Sequence, residues 1–415
     1  MPTFVDRHLA VTATEMLEHS PGIVLEGARQ VGKSTLARRL APDALVLNFD
    51  EEQTRAAATH DLPGLIDRAG GRPIIIDEIQ RLPEATLPIK VAIDGDRRPG
   101  RFILTGSASY LRVRGLADSL AGRVIRLPLY PLSQGELRQG PDDFTSGITR
   151  SEQSVLTDFA TELGRDDYIT AIASGGYPEA SAAAPGFRRR WIDSYVDNLL
   201  RRDLTEMRRD VDPARAAAIL RALAGSQASE LVKARLAERT SVPPVTITGY
   251  LDLLADAGLI HAVAPWTPNL AKREVGRSKC IVVDSALALR MARLSEDQLG
   301  QIEYGEALGA FLEAFVVGEV LRQRSWTATE FDLFHYRDRA GVEVDLVLEL
   351  SGGRVIAIEV KAASSFRSAQ FTGLRKLRDQ LGDRFLAGVV LNTGRHGFRL
   401  DDRLYGLPVA ALWEL

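Results

Sequence analysis

Residues 27–34 read Gly-Ala-Arg-Gln-Val-Gly-Lys-Ser, which matches the pattern G-x-x-x-x-G-K-[ST]. An apolar run at residues 23–25 precedes this segment, and a helical pattern follows it. In that context the backbone curls so that its N–H groups point inward. Together with the positive end of the helix, these groups form a binding site for phosphate. We expect Lys33 to reach the β- and γ-phosphates of a nucleotide and the Ser34 hydroxyl to hold Mg²⁺. The predicted nucleotide-binding residues are Gly27, Ala28, Arg29, Gln30, Val31, Gly32, Lys33, Ser34 and Thr35.

Two adjacent acids end the next strongly apolar run, where residues 73–76 lead into Asp77 and Glu78. A continuous apolar run is typical of a parallel strand that is buried on both faces. Open α/β sheets bind their ligands at the carboxyl ends of such strands. Downstream of a phosphate loop, we expect Asp77 to hold the hydration shell of Mg²⁺ and Glu78 to orient or deprotonate the attacking water.

A further buried strand is predicted at residues 101–107, and it also ends in polar residues. Thr105 or Ser107 could hydrogen-bond the γ-phosphate there. Arg123, which follows a glycine, is a candidate for stabilising charge on the transferring phosphoryl group, within its own subunit or in a neighbouring one. The chain has no Asn-Lys-x-Asp guanine signature after this point, which favours ATP over GTP.

Composition places the chain among globular proteins and limits its partners. At the usual domain size, 415 residues predict two to four domains, and 45% hydrophobic and 26% charged residues are ordinary values for soluble proteins. The formal net charge of −3 excludes binding of nucleic acid through overall charge, although a local basic face stays open. A single cysteine, Cys280, fits a reducing cytoplasm, and neither a signal peptide nor a membrane-spanning run is visible.

Four sequence segments, by their residues, order and spacing, resemble the prokaryotic AAA+-type ATPases that carry a C-terminal domain of unknown function. They are residues 29–34, 76–80, 102–107 and 119–123, and further matches lie at residues 175–179 and 191–203. The resemblance covers nearly the whole chain. It implies an α/β fold with a P-loop NTPase core of the AAA+ type, and it implies the use of ATP. Ala28 and Ser34 depart from the residues common in that family, and neither change removes a phosphate ligand.

We divide the chain into an ATPase core at residues 1–150, a helical lid at 151–210, a winged-helix-like segment at 211–300 and a C-terminal domain at 301–415. The winged-helix prediction rests on two helical patterns around a turn at residues 240–243, followed by an apolar strand. The second helix contains no Lys or Arg, whereas affinity for DNA normally comes from cations that face phosphates. Better candidates for such contacts are Lys272, Arg273, Arg277 and Lys279.

The C-terminal segment has an acid on one strand and Glu-x-Lys on the next. Asp345 lies in the run 342–349, and Glu359 and Lys361 share one face of the return strand because strand side chains alternate. This pattern resembles the PD-(D/E)xK nuclease superfamily, which has a restriction-endonuclease-like α/β fold. The resemblance implies that Asp345, Glu359 and Glu313 would hold a second divalent cation and that Lys361 would position water.

The leading hypothesis from the sequence is a cytoplasmic ATPase that uses Mg²⁺ and couples hydrolysis to movement of DNA-associated C-terminal domains. Two alternatives stay open: an ATP-dependent DNA endonuclease, and a nucleotide-gated regulatory or assembly module that cuts nothing. Double-stranded DNA, a protein partner and a second copy of the chain are the candidate partners, and no membrane is expected.

Overall fold

The computed structural model describes residues 4–106, 120–208, 210–268 and 276–415. Ser107, Lys272 and Arg273, which the sequence singled out, lie outside these residues. The described strands are β1 Gly22–Glu26, β2 Leu45–Asn48, β3 Ile74–Asp77, β4 Phe102–Gly106, β5 Ile125–Pro128, β6 Ser229–Glu230, β7 Ile260–Pro265, β8 Lys279–Val282, β9 Phe331–Arg337, β10 Glu343–Leu350, β11 Arg354–Lys361, β12 Phe385–Asn392, β13 Phe398–Asp401 and β14 Leu404–Pro408.

Helices cover both sheets and fill the middle of the chain. Those described are α1 Leu9–His19, α2 Lys33–Leu40, α3 Glu52–Asp67, α4 Thr86–Gly95, α5 Gln134–Arg138, α6 Phe144–Arg150, α7 Gln153–Thr157, α8 Arg165–Ser174, α9 Pro178–Ser181, α10 Pro185–Asn198, α11 Leu204–Met207, α12 Pro213–Ala224, α13 Lys233–Thr240, α14 Pro244–Asp256, α15 Ser285–Met291, α16 Glu296–Gly300, α17 Gly305–Gln323, α18 Thr372–Leu381 and α19 Ala411–Glu414.

The first sheet is the nucleotide-binding core that the sequence predicted. Its five strands run in the order β2-β3-β4-β1-β5, and every pair between them is parallel. All residues of β1, β3 and β4 are buried, which explains why these strands are nearly continuous apolar runs. Because the strands are parallel, their carboxyl ends lie along one edge, and the loops after β1, β3 and β4 meet there.

A helical region follows, as the sequence predicted for residues 151–210. Its longest stretch is α10, a π-helical turn at Leu199–Asp203, and α11, which follow one another without a break. Tyr177, Trp191 and Tyr195 pack together, and the Trp191 and Tyr195 rings stack with their centroids 5.1 Å apart. Aromatic packing therefore fixes α10 against the turn before α9.

The second sheet is mixed and has nine strands in the order β13-β14-β12-β11-β10-β9-β7-β8-β6. The β7–β8 hairpin lies where the sequence predicted the start of a wing, and the two preceding helices, α13 and α14, flank the predicted turn. However, β7 pairs in parallel with β9, so the segments 211–300 and 301–415 share one sheet. The C-terminal segment contributes β14 to this sheet and then ends as helix α19.

Buried polar contacts join the end of the ATPase core to helix α17. The Gln323 amide donates to Asp142 Oδ1 at 2.7 Å, and the Gln134 N–H donates to Glu319 Oε2 at 2.8 Å. Arg322 Nε donates to the carbonyl of Pro131 at 3.0 Å. A satisfied buried network of this kind specifies one relative arrangement of the elements it links. Among the described residues, no helix is both long enough and apolar enough to span a bilayer.

Candidate nucleotide site

The phosphate loop connects β1 to α2, and two of its glycines are required by its geometry. Gly32 has φ of 99°, a left-handed conformation that L side chains avoid, and helix α2 begins at the next residue. A Cβ atom at Gly27 would lie 2.1 Å from the carbonyl oxygen of Leu129. The loop therefore curls closely against the chain after β5, with its backbone at the amino end of α2, as phosphate binding needs.

The ammonium of Lys33 lies inside this loop. It donates to the carbonyls of Gly27 and Ala28 at 3.1 and 2.9 Å, and the residue is only 5% exposed. Burial lowers the pKa of Lys33, while the nearby carboxylates of Glu78 and Asp77 act in the opposite direction. A buried cation whose hydrogen-bond acceptors are backbone carbonyls is suited to bind an incoming anion.

Two hydroxyl groups, one from helix α2 and one from strand β4, converge on one carboxylate oxygen at the end of β3. The Ser34 hydroxyl donates to Asp77 Oδ1 at 2.7 Å, and the Thr105 hydroxyl donates to the same oxygen. The backbone N–H of Glu78 donates in turn to the Thr105 hydroxyl oxygen at 3.1 Å. Hydroxyl and carboxylate oxygens are the protein ligands that Mg²⁺ accepts, so the donor set of Ser34 and Asp77 fits this ion.

Glu78 follows Asp77 in a conformation that costs energy. Its φ of 56° and ψ of 49° place a non-glycine residue in the left-handed region, at a cost of about 1–3 kcal/mol. The Gln80 amide donates to one of its carboxylate oxygens. Such strain persists only where the surroundings determine it, and it clusters at functional sites. The predicted base therefore lies beside Asp77, a predicted magnesium ligand, with its carboxylate oriented by Gln80.

Arg7 is a residue of this site that sequence reasoning missed. It is 7% exposed, and its guanidinium donates to the carbonyls of Val31 and Tyr130, both at 2.7 Å. It also pairs with Glu136 at 2.9 Å. Arg7 therefore fixes the back of the phosphate loop to the chain after β5. No local pattern signals this role, because the partners are distant in sequence.

Arg123 lies at the opposite end of the sheet from the nucleotide site. It precedes β5, whose first residue, Ile125, pairs with Ile23 near the start of β1, so it belongs to the amino edge of the strands. Its guanidinium forms two contacts of 2.8 Å with the Asp94 carboxylate. The prediction that Arg123 acts on the phosphoryl group of its own subunit is therefore wrong, since the phosphate loop follows the carboxyl end of β1. A role in a neighbouring subunit stays a prediction.

Later parts of the chain contact the loop from outside. Arg29 Nη1 lies 2.8 Å from Asp203 Oδ1 in the π-helical turn, and the Tyr195 hydroxyl donates to the carbonyl of Arg29 at 3.2 Å. The turn after α14 also touches the loop, since a Cβ atom at Gly258 would lie 3.2 Å from Ala28. The helical region and the helix-turn-helix segment, formed by α13 and α14, thus both border the phosphate loop.

Thr35, the last of the predicted nucleotide-binding residues, is exposed in the first turn of α2.

A second cluster lies in the C-terminal domain, and we call Glu313, Asp345 and Glu359 the acidic cluster. Lys361 Nζ donates to Glu359 Oε1 at 2.5 Å, and Asp345 Oδ2 accepts the N–H of Val360 at 2.9 Å. Burial is the first cause that raises the pKa of Glu313 and of Glu359, and the neighbouring Asp345 carboxylate adds to it. Asp345, Glu359 and Lys361 therefore lie close together in the structure.

The cation in the acidic cluster is an unexpected one. Lys279 on β8 is 6% exposed, and its ammonium contacts Glu313 Oε1 at 2.5 Å and Asp345 Oδ1 at 3.3 Å. Among the described residues, no group of three or more acids, histidines or cysteines is arranged to hold a metal ion. The divalent site at Glu313, Asp345 and Glu359 stays a prediction, and in the structure an ammonium lies between two of its carboxylates.

This contact corrects the role that the sequence suggested for Lys279 itself. Its buried side chain cannot face DNA phosphates. Arg277 is exposed and lies 3.7 Å from Glu230. On the helix-turn-helix segment, Lys233 Nζ donates to the Thr248 hydroxyl at 3.0 Å, which brings one cation to α14. DNA binding by this segment stays a prediction.

Three family models match consecutive parts of the chain. Residues 19–138 match the model described as an AAA domain. This match agrees with the AAA-type domain that the sequence predicted for the N-terminal part of the chain. Residues 165–298 and 308–412 match two models that are each described as a domain of unknown function. The last model spans the acidic cluster without naming a nuclease.

Proteins similar over nearly the whole chain are known by sequence. The uncharacterized protein Rv2008c of Mycobacterium tuberculosis is 29% identical over 404 residues, which is 97% of this chain and 83% of that protein. The uncharacterized protein MJ1544 of Methanocaldococcus jannaschii is 21% identical over 411 residues, covering 94% of this chain and 87% of that one.

Solved structures with a similar arrangement include the Walker-type ATPase PABY2304 of Pyrococcus abyssi. It has a TM-score of 0.44 and 16% identity and covers 69% of this chain and 96% of its own. RuvB of Thermotoga maritima has a TM-score of 0.31 and 18% identity, with 66% and 92% covered. Likeness at this level carries no conclusion about function.

Proposed function

We propose that this chain hydrolyses ATP with Mg²⁺ at the edge of the parallel sheet. The observation that carries the proposal is the convergence of Ser34 and Thr105 on Asp77, beside a buried lysine in a glycine loop. The match of this segment to an AAA domain supports the same reaction.

Each side chain has a distinct task in the proposed reaction. Lys33 exchanges its carbonyl partners for oxygens of the β- and γ-phosphates, and the N–H groups of the loop bind the remaining oxygens. Ser34 and Asp77 hold the metal, which when bound neutralises charge that develops on the phosphate oxygens. Glu78 orients the attacking water and accepts its proton, while Thr105 fixes both acids through its hydroxyl.

We also propose that the nucleotide state is passed to the later domains. Two contacts support this coupling: the Arg29–Asp203 pair to the helical region, and the approach of Gly258 to Ala28. A change in the loop on binding phosphate would act on both elements directly. On this proposal, the C-terminal domain is the part of the chain that acts on a partner or substrate.

For that domain we propose a regulatory or assembly role without DNA cleavage. The Lys279 ammonium takes the place that a metal would need between Glu313 and Asp345. A nuclease of this type requires the metal to generate its nucleophile. The contact therefore favours the non-cleaving alternative over the endonuclease.

Replacement of Lys33 by alanine tests the ATPase proposal. We expect loss of ATP binding and hydrolysis, because the phosphates lose the one buried cation described in the loop. Arg38→Ala is the matched control, since Arg38 is an exposed cation on the same helix, one and a half turns away. Nucleotide affinity by titration calorimetry and phosphate release are the measurements. Equal ATP turnover by wild type and Lys33→Ala would refute the proposal.

A further inference from the structure

Arg29 projects from the middle of the phosphate loop and has an acidic partner in the helical region. Asp203 is the last residue of the π-helical turn, and its side chain is 13% exposed, against 31% for Arg29. The two atoms Nη1 and Oδ1 are 2.8 Å apart, yet Oδ1 is buried without an aligned hydrogen bond. The contact is thus an ion pair of poor hydrogen-bond geometry, which a better-placed anion could replace.

The location of Arg29 puts its charge beside the phosphate-binding lysine. After burial and the two nearby carboxylates, the Arg29 guanidinium is a further cause acting on the pKa of Lys33, which it lowers. Its own carbonyl accepts a hydrogen bond from the Tyr195 hydroxyl at 3.2 Å, so its backbone is held against α10 and its side chain against the π-helical turn. The phosphate loop therefore carries two cations, Arg29 and Lys33, whose charges act on each other.

A second ion pair ties the same helical stretch to the segment after β3. Arg81 Nη1 lies 2.8 Å from Glu206 Oε2, and Arg81 Nε lies 2.9 Å from Asp50 Oδ1. These groups are more exposed than Asp203, so the pair is weaker. Ion pairs therefore attach the helical stretch 199–207 both to the phosphate loop and to the segment after β3.

We propose that Arg29 recognises the γ-phosphate of ATP and that Asp203 holds the arginine when this phosphate is absent. On this account Arg29 distinguishes a nucleoside triphosphate from a diphosphate. Exchange of the carboxylate for the phosphate releases the helical stretch 199–207 and thereby reports the nucleotide state. The inference rests on the proposed ATPase function, and it assigns to Arg29 the task that the sequence gave to Arg123.

The test compares the affinity for ADP with that for the β,γ-methylene analogue of ATP, which is not hydrolysed. Arg29→Ala should weaken binding of the triphosphate analogue about tenfold to hundredfold, as expected for loss of a charged hydrogen bond, and leave the affinity for ADP unchanged. Asp203→Asn should strengthen binding of the triphosphate analogue several-fold and leave the affinity for ADP unchanged. In the Arg29→Ala background Asp203→Asn should have no effect, because its target has gone.

Arg201→Ala is the matched control, since Arg201 lies in the same π-helical turn but pairs with Asp197 on an exposed surface. It should change neither affinity. Unchanged ADP binding in the variants also shows that they are folded. Equal loss of both nucleotides in Arg29→Ala would overturn the inference and leave the ATPase proposal standing. Failure of wild type to bind either nucleotide would overturn both.

Amide hydrogen exchange provides an independent readout of the released segment. Residues 199–207 should exchange faster with the triphosphate analogue than with ADP in wild type, and equally with both in Arg29→Ala. Faster exchange with ADP than with the analogue would contradict the proposed direction of the switch.

Discussion

Replacing Lys279 with methionine would remove the ammonium from the acidic cluster while keeping most of the volume of its side chain. The change leaves Glu313 and Asp345 facing each other with their shared cation lost. Removing one partner of a buried ion pair costs about 3–5 kcal/mol, because the remaining charge is left without compensation. We expect a loss of this size in the local stability of the nine-stranded sheet.

Native-state hydrogen exchange of β10 and β11 is the appropriate assay, since a chain with several domains need not unfold in two states. The expected loss corresponds to a fall in amide protection of roughly a hundredfold to several thousandfold. Lys361→Met is the control: its ammonium also contacts Glu359 at 2.5 Å, but its side chain is 34% exposed, so the loss should be much smaller. Adding Glu313→Gln to Lys279→Met should recover more than half of the loss.

The loss of stability in Lys279→Met should depend on pH in a defined direction. Burial raises the pKa of Glu313 above its value in the unfolded chain, so the folded state takes up a proton as pH falls. Stability linked to this group is present at low pH and is lost as pH rises through the folded pKa. The deficit of Lys279→Met should therefore shrink between pH 8 and pH 6. Unchanged protection in the variant, or a deficit that grows on acidification, would refute the role given to Lys279.

Three further predictions follow from the two sites. Arg123→Ala should leave ATP binding unchanged. If Arg123 acts on a neighbouring subunit, the variant should lose hydrolysis. Mixing it with Lys33→Ala protein should then restore hydrolysis, because that protein still supplies Arg123. Plasmid DNA should stay intact with wild-type protein and Mg²⁺ or Mn²⁺, whereas nicking that Asp345→Ala abolishes would favour the endonuclease. Gly27→Ala should weaken nucleotide binding at least tenfold in a calorimetric titration, because its Cβ would lie 2.1 Å from the Leu129 carbonyl; wild-type affinity would contradict the loop geometry.

The parts of the fold that could be predicted from the sequence depend on local patterns. Strands β3 and β4 could be predicted because both faces of this parallel sheet are buried, which makes the strands nearly continuous apolar runs. The phosphate loop could be predicted because its glycine pattern lies between a strand and a helix, which places Lys33 and Ser34 in the first turn of α2.

The remaining features depend on contacts between distant parts of the chain. Lys279 reaches the acidic cluster only because β7 pairs with β9, and no local pattern specifies that pairing. Arg7 and Asp203 lie far in sequence from the loop they contact. For Arg123 a signal did exist: a residue that precedes a parallel strand lies at its amino edge, away from the ligand.

Single-turnover phosphate release by wild type and Glu78→Gln most directly tests the central claim of ATP hydrolysis at this site. With ATP, Mg²⁺ and excess protein, we expect wild type to release phosphate and the variant to do so at least about a hundredfold more slowly, as for loss of a general base. ATP affinity should stay unchanged in the variant, because Lys33, Ser34 and Asp77 remain in place. Equal rates of release from the two proteins would contradict the account.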